Sequence, residues 1–277
     1  MKFNYLIYII LTFVFSQAKA QPYLLKSTDS EKSFQLHIYY GSEGKGAFVQ
    51  YVGQKGIIPL KIRTVNIKKT AGNNVPTVYY SWDELTDGKI TGNYSLNETA
   101  GKIFGAVYKR LKDGRIFKLE QITGNSVDNT QDKLLVNNVL ITFSHNENAR
   151  LTFTYESGQK ETLQLESFDN PQQFRKSHIA DYNFDGHDDV GFSIPDAGMG
   201  VYRTYIIFLY DPVSKRFKKL KEPTNTNAKC LGLCDVKLDT KNKLFFTSCR
   251  GGARWWSDVY RFDKANKLIW LRSKEEQ

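Results

Sequence analysis

A chain of 277 residues with 39 Lys and Arg against 29 Asp and Glu carries a formal charge of +10 at neutral pH, and 14% of its residues are aromatic. That length allows one large β domain or two smaller ones, with enough apolar residues for a real core. The basic balance favours acidic partners. The positive charges are scattered over Lys68-Lys69, Lys109-Arg110 and Lys215 to Lys221, and no recognition-helix or RNA-binding motif accompanies them, which excludes a nucleic-acid reading.

The N-terminus reads as a secretory leader. Lys2 gives the positive start, Tyr5 to Phe15 the apolar run, and Ala18-Lys19-Ala20 an A-x-A cleavage site. The run is shorter than the roughly 20 residues that span a bilayer, and no Cys follows it for lipid attachment. Residues 1–20 are therefore expected to be removed, leaving an exported chain from Gln21, periplasmic or secreted, with no transmembrane anchor and a charge of +8 once Lys2 and Lys19 are gone.

From there the pattern is β almost throughout. Phe34 to Tyr40 alternates, Ala47 to Val52 follows a Gly-rich turn at Gly41 to Gly46, and Ile57 to Ile67 predicts one or two more strands. Val78 to Trp82 and Gly88 to Tyr94 follow. Ile103 to Leu111 and Ile116 to Ile122 flank Lys112-Asp113-Gly114, a good hairpin signal. These short strands predict a β-sandwich or small barrel over residues 21–126. The polar run Gly124 to Asp132 marks a boundary, and residues 127–277 form a second β domain. A short helix is expected at Asn170 to His178.

Asp181-Tyr-Asn183-Phe-Asp185-Gly186-His187-Asp188-Asp189 is the most specific motif. Its D-x-N-x-D-G-x-x-D spacing is that of an EF-hand-type calcium loop. Asp181, Asn183 and Asp185 converge, Gly186 permits the turn, His187 offers its backbone carbonyl and Asp189 binds directly or through water. Ca²⁺ takes six to eight oxygens. The usual Glu at the twelfth position is here Phe192, so water or other groups must complete the shell.

Two hairpins in the second half repeat. Ile206 to Phe217 and Asp258 to Leu268 each carry an aromatic strand, an Asp at the turn, a Lys and an apolar return, and Lys109 to Leu119 is a looser copy. Such hairpins build propeller-like blades. The domain is thus expected to be all-β and propeller-like, with one calcium loop at 181–189.

Three cysteines follow, Cys230, Cys234 and Cys249. A hairpin centred between Lys241 and Asn242 sets Cys234 opposite Cys249, which favours that disulfide; Cys230 to Cys249 is the close alternative. No histidine sits in a recognised metal or triad spacing, and no nucleophile elbow, H-E-x-x-H or nucleotide-binding loop is present. The chain therefore reads as non-catalytic. Pro195 to Arg203, with Met199 and Tyr202, and Arg250 to Trp256, with Arg250, Arg254, Trp255 and Trp256, are candidate partner-binding loops, because Arg and Trp are enriched at hot spots. The first follows the strand leaving the metal loop, so a bound ion is expected to brace it. Strand alternation is expected to bury one Trp and expose the other. Asn93-Tyr-Ser95 and Asn97-Glu-Thr99 match glycosylation sequons.

Ile179 to Asp189, the Gly-rich loop after it, and Tyr205-Ile-Ile-Phe-Leu-Tyr-Asp-Pro-Val-Ser-Lys-Arg-Phe217 resemble a family of exported calcium-loop proteins of Gram-negative bacteria. Some members are immunity proteins that inhibit secreted lysozyme-like peptidoglycan hydrolases. The resemblance implies a β architecture, a periplasmic location, and Ca²⁺ held by Asp181, Asn183, Asp185, the His187 carbonyl and Asp189. It implies an inhibitor whose protein partner is a cell-wall hydrolase. The alternative is a module in which Trp255 or Trp256 stacks on a glycan.

Overall fold

Eight antiparallel strands close on themselves at the start of the chain. In the computed structural model, residues 22–28, 33–69, 75–122, 131–144, 150–166, 174–196, 201–224 and 227–276 are described. The leader, Met199 and most of the segment expected to mark the boundary lie outside them. The barrel strands are β1 (Tyr23–Ser27), β2 (Gln35–Tyr39), β3 (Ala47–Tyr51), β4 (Ile58–Lys68), β5 (Thr77–Thr86), β6 (Lys89–Thr99), β7 (Lys102–Arg110) and β8 (Ile116–Gln121). They follow one another around the barrel, and β1 closes it against β8 with Leu25 opposite Gln121. Of the two architectures the alternation allows, this is the barrel. The expected run Ile57 to Ile67 yields one strand, β4, bulged between Ile62 and Thr64.

The turns explain the register. Asp87-Gly88 and Ala100-Gly101 take positive φ at both positions, 50° and 73°, then 50° and 72°. Two consecutive residues of that kind make the type I′ turn whose twist matches a two-residue hairpin. Inside, Trp82, Tyr94, Leu36 and Ile38 are almost wholly buried among tyrosines. The polar tips are partnered: the Trp82 indole donates to the Gly44 carbonyl at 2.7 Å, and the Tyr23 and Tyr40 hydroxyls donate to the Glu98 carboxylate.

Three four-stranded antiparallel sheets follow. The first has β9 (Gln131–Val136), β10 (Val139–Ser144), β11 (Arg150–Thr154) and β12 (Lys160–Gln164). The second has β13 (Lys176–Ala180), β14 (Asp189–Pro195), β15 (Arg203–Asp211) and β16 (Arg216–Lys219). The third has β17 (Lys237–Asp239), β18 (Leu244–Gly251), β19 (Arg254–Phe262) and β20 (Leu268–Glu276). Each is a simple meander, the arrangement of a propeller blade. The expected helix at 170–178 is corrected where it is described: Lys176 to His178 belong to β13, whose alternation pairs them with Ser193 to Gly191; residues 167–173 lie outside the described set.

The sheets stack face to face. Ile179, Val190, Phe192 and Phe208 of the middle sheet pack against Ile141, Leu151 and Phe153 of the first. Ile207 and Leu209 pack on the other side against Phe245, Tyr260 and Leu268 of the third. The middle sheet is buried on both faces, which fits the continuous apolar run Tyr205 to Tyr210 of β15 and the small Gly191 and Ser193 between the apolar residues of β14. The repeated hairpins β15–β16 and β19–β20 are the third and fourth strands of successive sheets. In each the turn aspartate accepts backbone N–H groups, Asp211 from Val213 and Asp263 from Ala265 and Lys267.

The barrel docks on the sheets through the turn at Ser42–Gly44. The Leu135 N–H donates to the Gly46 carbonyl at 2.9 Å. A Cβ on Gly46, at φ +62°, would lie 2.7 Å from the Ile179 side chain. Truncating the barrel core at Trp82→Ala is expected to cost about 3–5 kcal/mol, measured as a fall in the urea midpoint at constant slope; a loss near zero would mean this ring does not pack as described.

Candidate cation loop and partner-facing surfaces

The loop from Asp181 to Asp188 joins β13 to β14 and is wrapped on its own carboxylates. Asp181 accepts from the N–H groups of Asp185 at 3.0 Å and Gly186 at 2.9 Å, and Asp185 accepts from that of His187 at 2.9 Å. Gly186, at φ +91°, makes the reversal. Asn183 donates to Asp185 at 2.9 Å. Asp189 is fully buried, one oxygen accepting from the Tyr182 N–H at 2.9 Å and the other from that of Tyr210 at 2.7 Å. Burial pushes its carboxyl up to about 7, and the negative charges of Asp185 and Asp181 push the same way, against those two N–H groups.

The donor set is all oxygen and suits a hard cation. A positive charge among these groups would offset the burial of Asp189 and the smaller repulsion from Asp185 and Asp181. Among the described residues, no three Asp, Glu, His or Cys side chains converge tightly enough to hold a metal alone. Asn183, main-chain carbonyls and water would have to share the coordination.

The loop also ties the molecule together. From the barrel, the Lys45 ammonium donates to the Ile179 carbonyl at 3.2 Å and to Asp188 at 3.4 Å. From the first sheet, the Asn137 amide donates to the Asp188 carbonyl at 2.7 Å. From the third, Asn266 accepts from Asn183 at 3.3 Å and Lys243 reaches the Phe184 carbonyl at 3.5 Å. Sequence reasoning missed these residues. They come from turns far away along the chain, and local turn signals do not say which turns will meet.

The candidate partner loops lie elsewhere. Both connect second to third strands, Pro195 to Arg203 between β14 and β15, and Gly251 to Ala253 between β18 and β19. β14 separates the first from the cation loop by roughly 20 Å at about 3.3 Å per residue. The expectation that an ion braces this loop is therefore corrected. Its base is closed instead by the Asp196 N–H donating to the Tyr202 carbonyl at 2.9 Å and by the Tyr202 N–H donating to the Asp196 carboxylate at 3.2 Å. Trp255 and Trp256 are both half-buried, one on each face of β19. Trp255 pairs across the strands with exposed Arg250 on the outer face. Trp256 packs with Tyr202 on the cysteine cluster, under the Lys229 ammonium 5.5 Å from its ring. Arg250 and Trp255 thus lie on one face of the sheet, and Arg254 and Trp256 on the other. Arg254 is exposed and paired with Glu275 at 3.5 Å.

The disulfide joins Cys230 to Cys249, and Cys234 is free and buried. This corrects the favoured Cys234–Cys249 pairing. The expected hairpin register is present, Lys237 opposite Phe246 and Asp239 opposite Leu244. Before that ladder the chain bridges two sheets: Leu233 and Asp235 bond to Tyr205 and Arg203 of β15, while the Cys234 carbonyl accepts from the Ser248 N–H of β18 at 2.8 Å, and the Cys234 thiol is left out of the disulfide. Meanwhile the buried Asp258 carboxylate accepts from the N–H groups of Lys229 and Cys230, which holds Cys230 beside β19 and Cys249. Burial pushes the Cys234 thiol up to about 12. A disulfide fits maturation in an oxidising compartment, and among the described residues no helix is long and apolar enough to cross a membrane.

A Ser–His pair also escaped sequence reasoning. His178 Nε2 and Ser193 Oγ lie 2.8 Å apart across β13 and β14, and Arg203 on β15 donates to the same oxygen at 2.8 Å. Ser193 has no exposure, so the network braces the sheet. No family model and no curated protein matches the sequence. Among solved structures, MPT-4, a mannose phosphorylase from Leishmania mexicana in complex with phosphate ion, is similar at 12% identity and a TM-score of 0.17, over 91% of this chain and 85% of that one. A likeness of that size carries no argument about fold or chemistry.

The His178 network makes a pH prediction. Burial first, then the charges of Arg203 and Lys176, lower the imidazole to about 4, with Tyr205 packed against its ring. The unfolded chain takes up this proton near pH 6.5 and the folded one does not. The contribution is thus intact above 6.5 and is lost as pH falls towards 4, by up to about 3 kcal/mol. Asp189 titrates in the opposite sense, so the readout is the difference between the protein and His178→Gln. The variant should lose less stability between pH 6.5 and 4; parallel curves would refute the assignment.

Proposed function

We propose that this chain is a non-catalytic, exported binding protein that inhibits a lysozyme-like peptidoglycan hydrolase, working through the outer face of its third sheet. The observation that carries this reading is that face. Phe245, Tyr260 and Leu268 point inward to the middle sheet, so the alternate residues point out. The outward set includes Lys237, Arg250, Arg261, Arg272 and Lys274, all exposed, around half-buried Trp255 and Phe246, with the Glu276 carboxylate opposite Trp255. Cross-strand pairing sets Arg250 beside Trp255 and Lys274 beside Ser257. Cations around an aromatic centre suit an acidic protein cleft, and lysozyme-like clefts use two carboxylates.

Arg250, on that face, and Arg254, at the same turn but on the Trp256 side and paired with Glu275, are the residues for those carboxylates, by charge-assisted hydrogen bonds. Arg250 is held over its own turn by a bond to the Gly252 carbonyl at 3.2 Å, so little order has to be imposed on binding. Trp255 supplies the apolar contact. Tyr202 and Trp256 brace the face from behind through the disulfide. Ca²⁺, held by Asp181, Asn183, Asp185, the His187 carbonyl and Asp189, serves as a structural ion. Its contribution is a positive charge beside the buried carboxylate.

Two measurements test this reading. Thermal unfolding with Ca²⁺, with Mg²⁺ and with excess chelator should give a Ca²⁺-selective rise in Tm, worth about 2.7 kcal/mol at a hundredfold excess over Kd. An unchanged Tm on full chelation would discard the ion. Inhibition of a purified lysozyme-like hydrolase should fall at least about tenfold, or 1.4 kcal/mol, in the Arg250→Ala, Arg254→Ala double variant. Full inhibition by that variant would discard the face, and binding to purified peptidoglycan without binding the enzyme would favour the glycan reading instead.

A further inference from the structure

A second candidate site lies at the other end of the sheets. The turns β9–β10, β11–β12 and β15–β16 enclose a cleft of about 390 Å³ between the first and middle sheets, within the range of small-molecule sites. Its walls carry the amides of Asn137 and Asn138, the Glu156 carboxylate, the Lys215 ammonium and the Arg216 guanidinium, with Tyr210 on the floor. Asn137, Asn138 and Lys215 all have positive φ, at 48°, 61° and 53°. The sharp turns that this conformation makes bring their side chains to the rim.

Part of the wall is fixed before any ligand arrives. The Arg216 guanidinium lies over the Tyr155 ring, 5.0 Å from its centre, and bonds to the Gln159 side chain. Asn137 is bonded to the Asp188 carbonyl, and the Tyr210 N–H to buried Asp189. Because Arg216 covers Tyr155, that ring offers no free stacking face. Recognition therefore depends on hydrogen bonds and charge, and two cations face one carboxylate. Amides, a carboxylate and paired cations around a small volume match a ligand with several hydroxyls and one negative group.

We propose that this cleft binds a sugar residue carrying a carboxylate. Lys215 and Arg216 take the carboxylate, while the Asn138 amide and Glu156 take ring hydroxyls. The site is independent of the partner face, since Arg250 and Trp255 lie at the opposite end of the sheets, and its test does not depend on any hydrolase.

The test is a ¹⁵N NMR titration of the Ca²⁺-supplemented protein with glucuronate, glucose and inorganic phosphate in turn. Glucuronate should move the Asn138 and Lys215 amide signals saturably, about tenfold more tightly than glucose, a difference of 1.4 kcal/mol. Lys215→Asn keeps a residue that accepts positive φ and removes the charge. It should weaken glucuronate at least about fivefold with Tm unchanged, and Asn138→Asp should weaken it further by placing a like charge in the site. No saturable displacement, equal affinity for glucose, or phosphate displacing the same signals as strongly as glucuronate would each overturn the proposal.

Discussion

One buried carboxylate organises the second half of this molecule. Asp189 has no exposure, and its two oxygens take the N–H groups of Tyr182 and Tyr210. Those bonds join the start of β14 to the acidic loop on one side and to the end of β15 on the other. An ionised group removed from water is costly unless charge and hydrogen bonds compensate it. The N–H groups supply part of that compensation, and the neighbouring Asp181 and Asp185 act against it. The loop is also a meeting point of the fold, because Lys45, Asn137, Asn266 and Lys243 tie the barrel and both flanking sheets to it.

The middle sheet makes this arrangement necessary. With Phe192 and Phe208 facing one neighbour and Ile207 and Leu209 the other, neither face meets solvent along its centre. Polar groups within it must be satisfied internally, and they are: His178, Ser193 and Arg203 bond to one another across three strands. Close packing also explains Gly191, where a Cβ would meet the Tyr182 hydroxyl at 2.7 Å. The two ends of this sheet then serve different purposes. The acidic loop and the polar cleft share one end, the disulfide and the Arg250 turn the other.

The barrel contributes a rigid body more than a cavity. Its interior is filled by Trp82 and a ring of tyrosines whose hydroxyls are bonded to Glu98, Glu84 and one another. It meets the sheets through glycines that leave room for Leu134 and Ile179. The basic outer face of the third sheet lies on the far side of the stack, across the middle sheet from the first.

Local chemistry made much of this legible in advance. Alternation located most strands, Asp113-Gly114 marked a turn, the D-x-N-x-D-G-x-x-D spacing marked the acidic loop, and the two Asp-to-Lys hairpins proved to be equivalent parts of successive sheets. Even the register of β17 with β18 followed from the sequence, since it depends on neighbours a few residues apart. The disulfide did not follow. Which cysteine meets Cys249 depends on Asp258 holding Cys230 beside it and on the bonds of Leu233 and Asp235 to β15, contacts between segments about 30 residues apart. The Ser193–His178–Arg203 network, the opposite placement of the loops and the cleft at Asn138 and Lys215 arise in the same way. The sequence by itself determined the elements and their turns, because those depend on backbone dihedrals and side-chain period. Only the tertiary structure decided which turns and faces meet, because that is set by how three sheets and a barrel bury their apolar surfaces against one another.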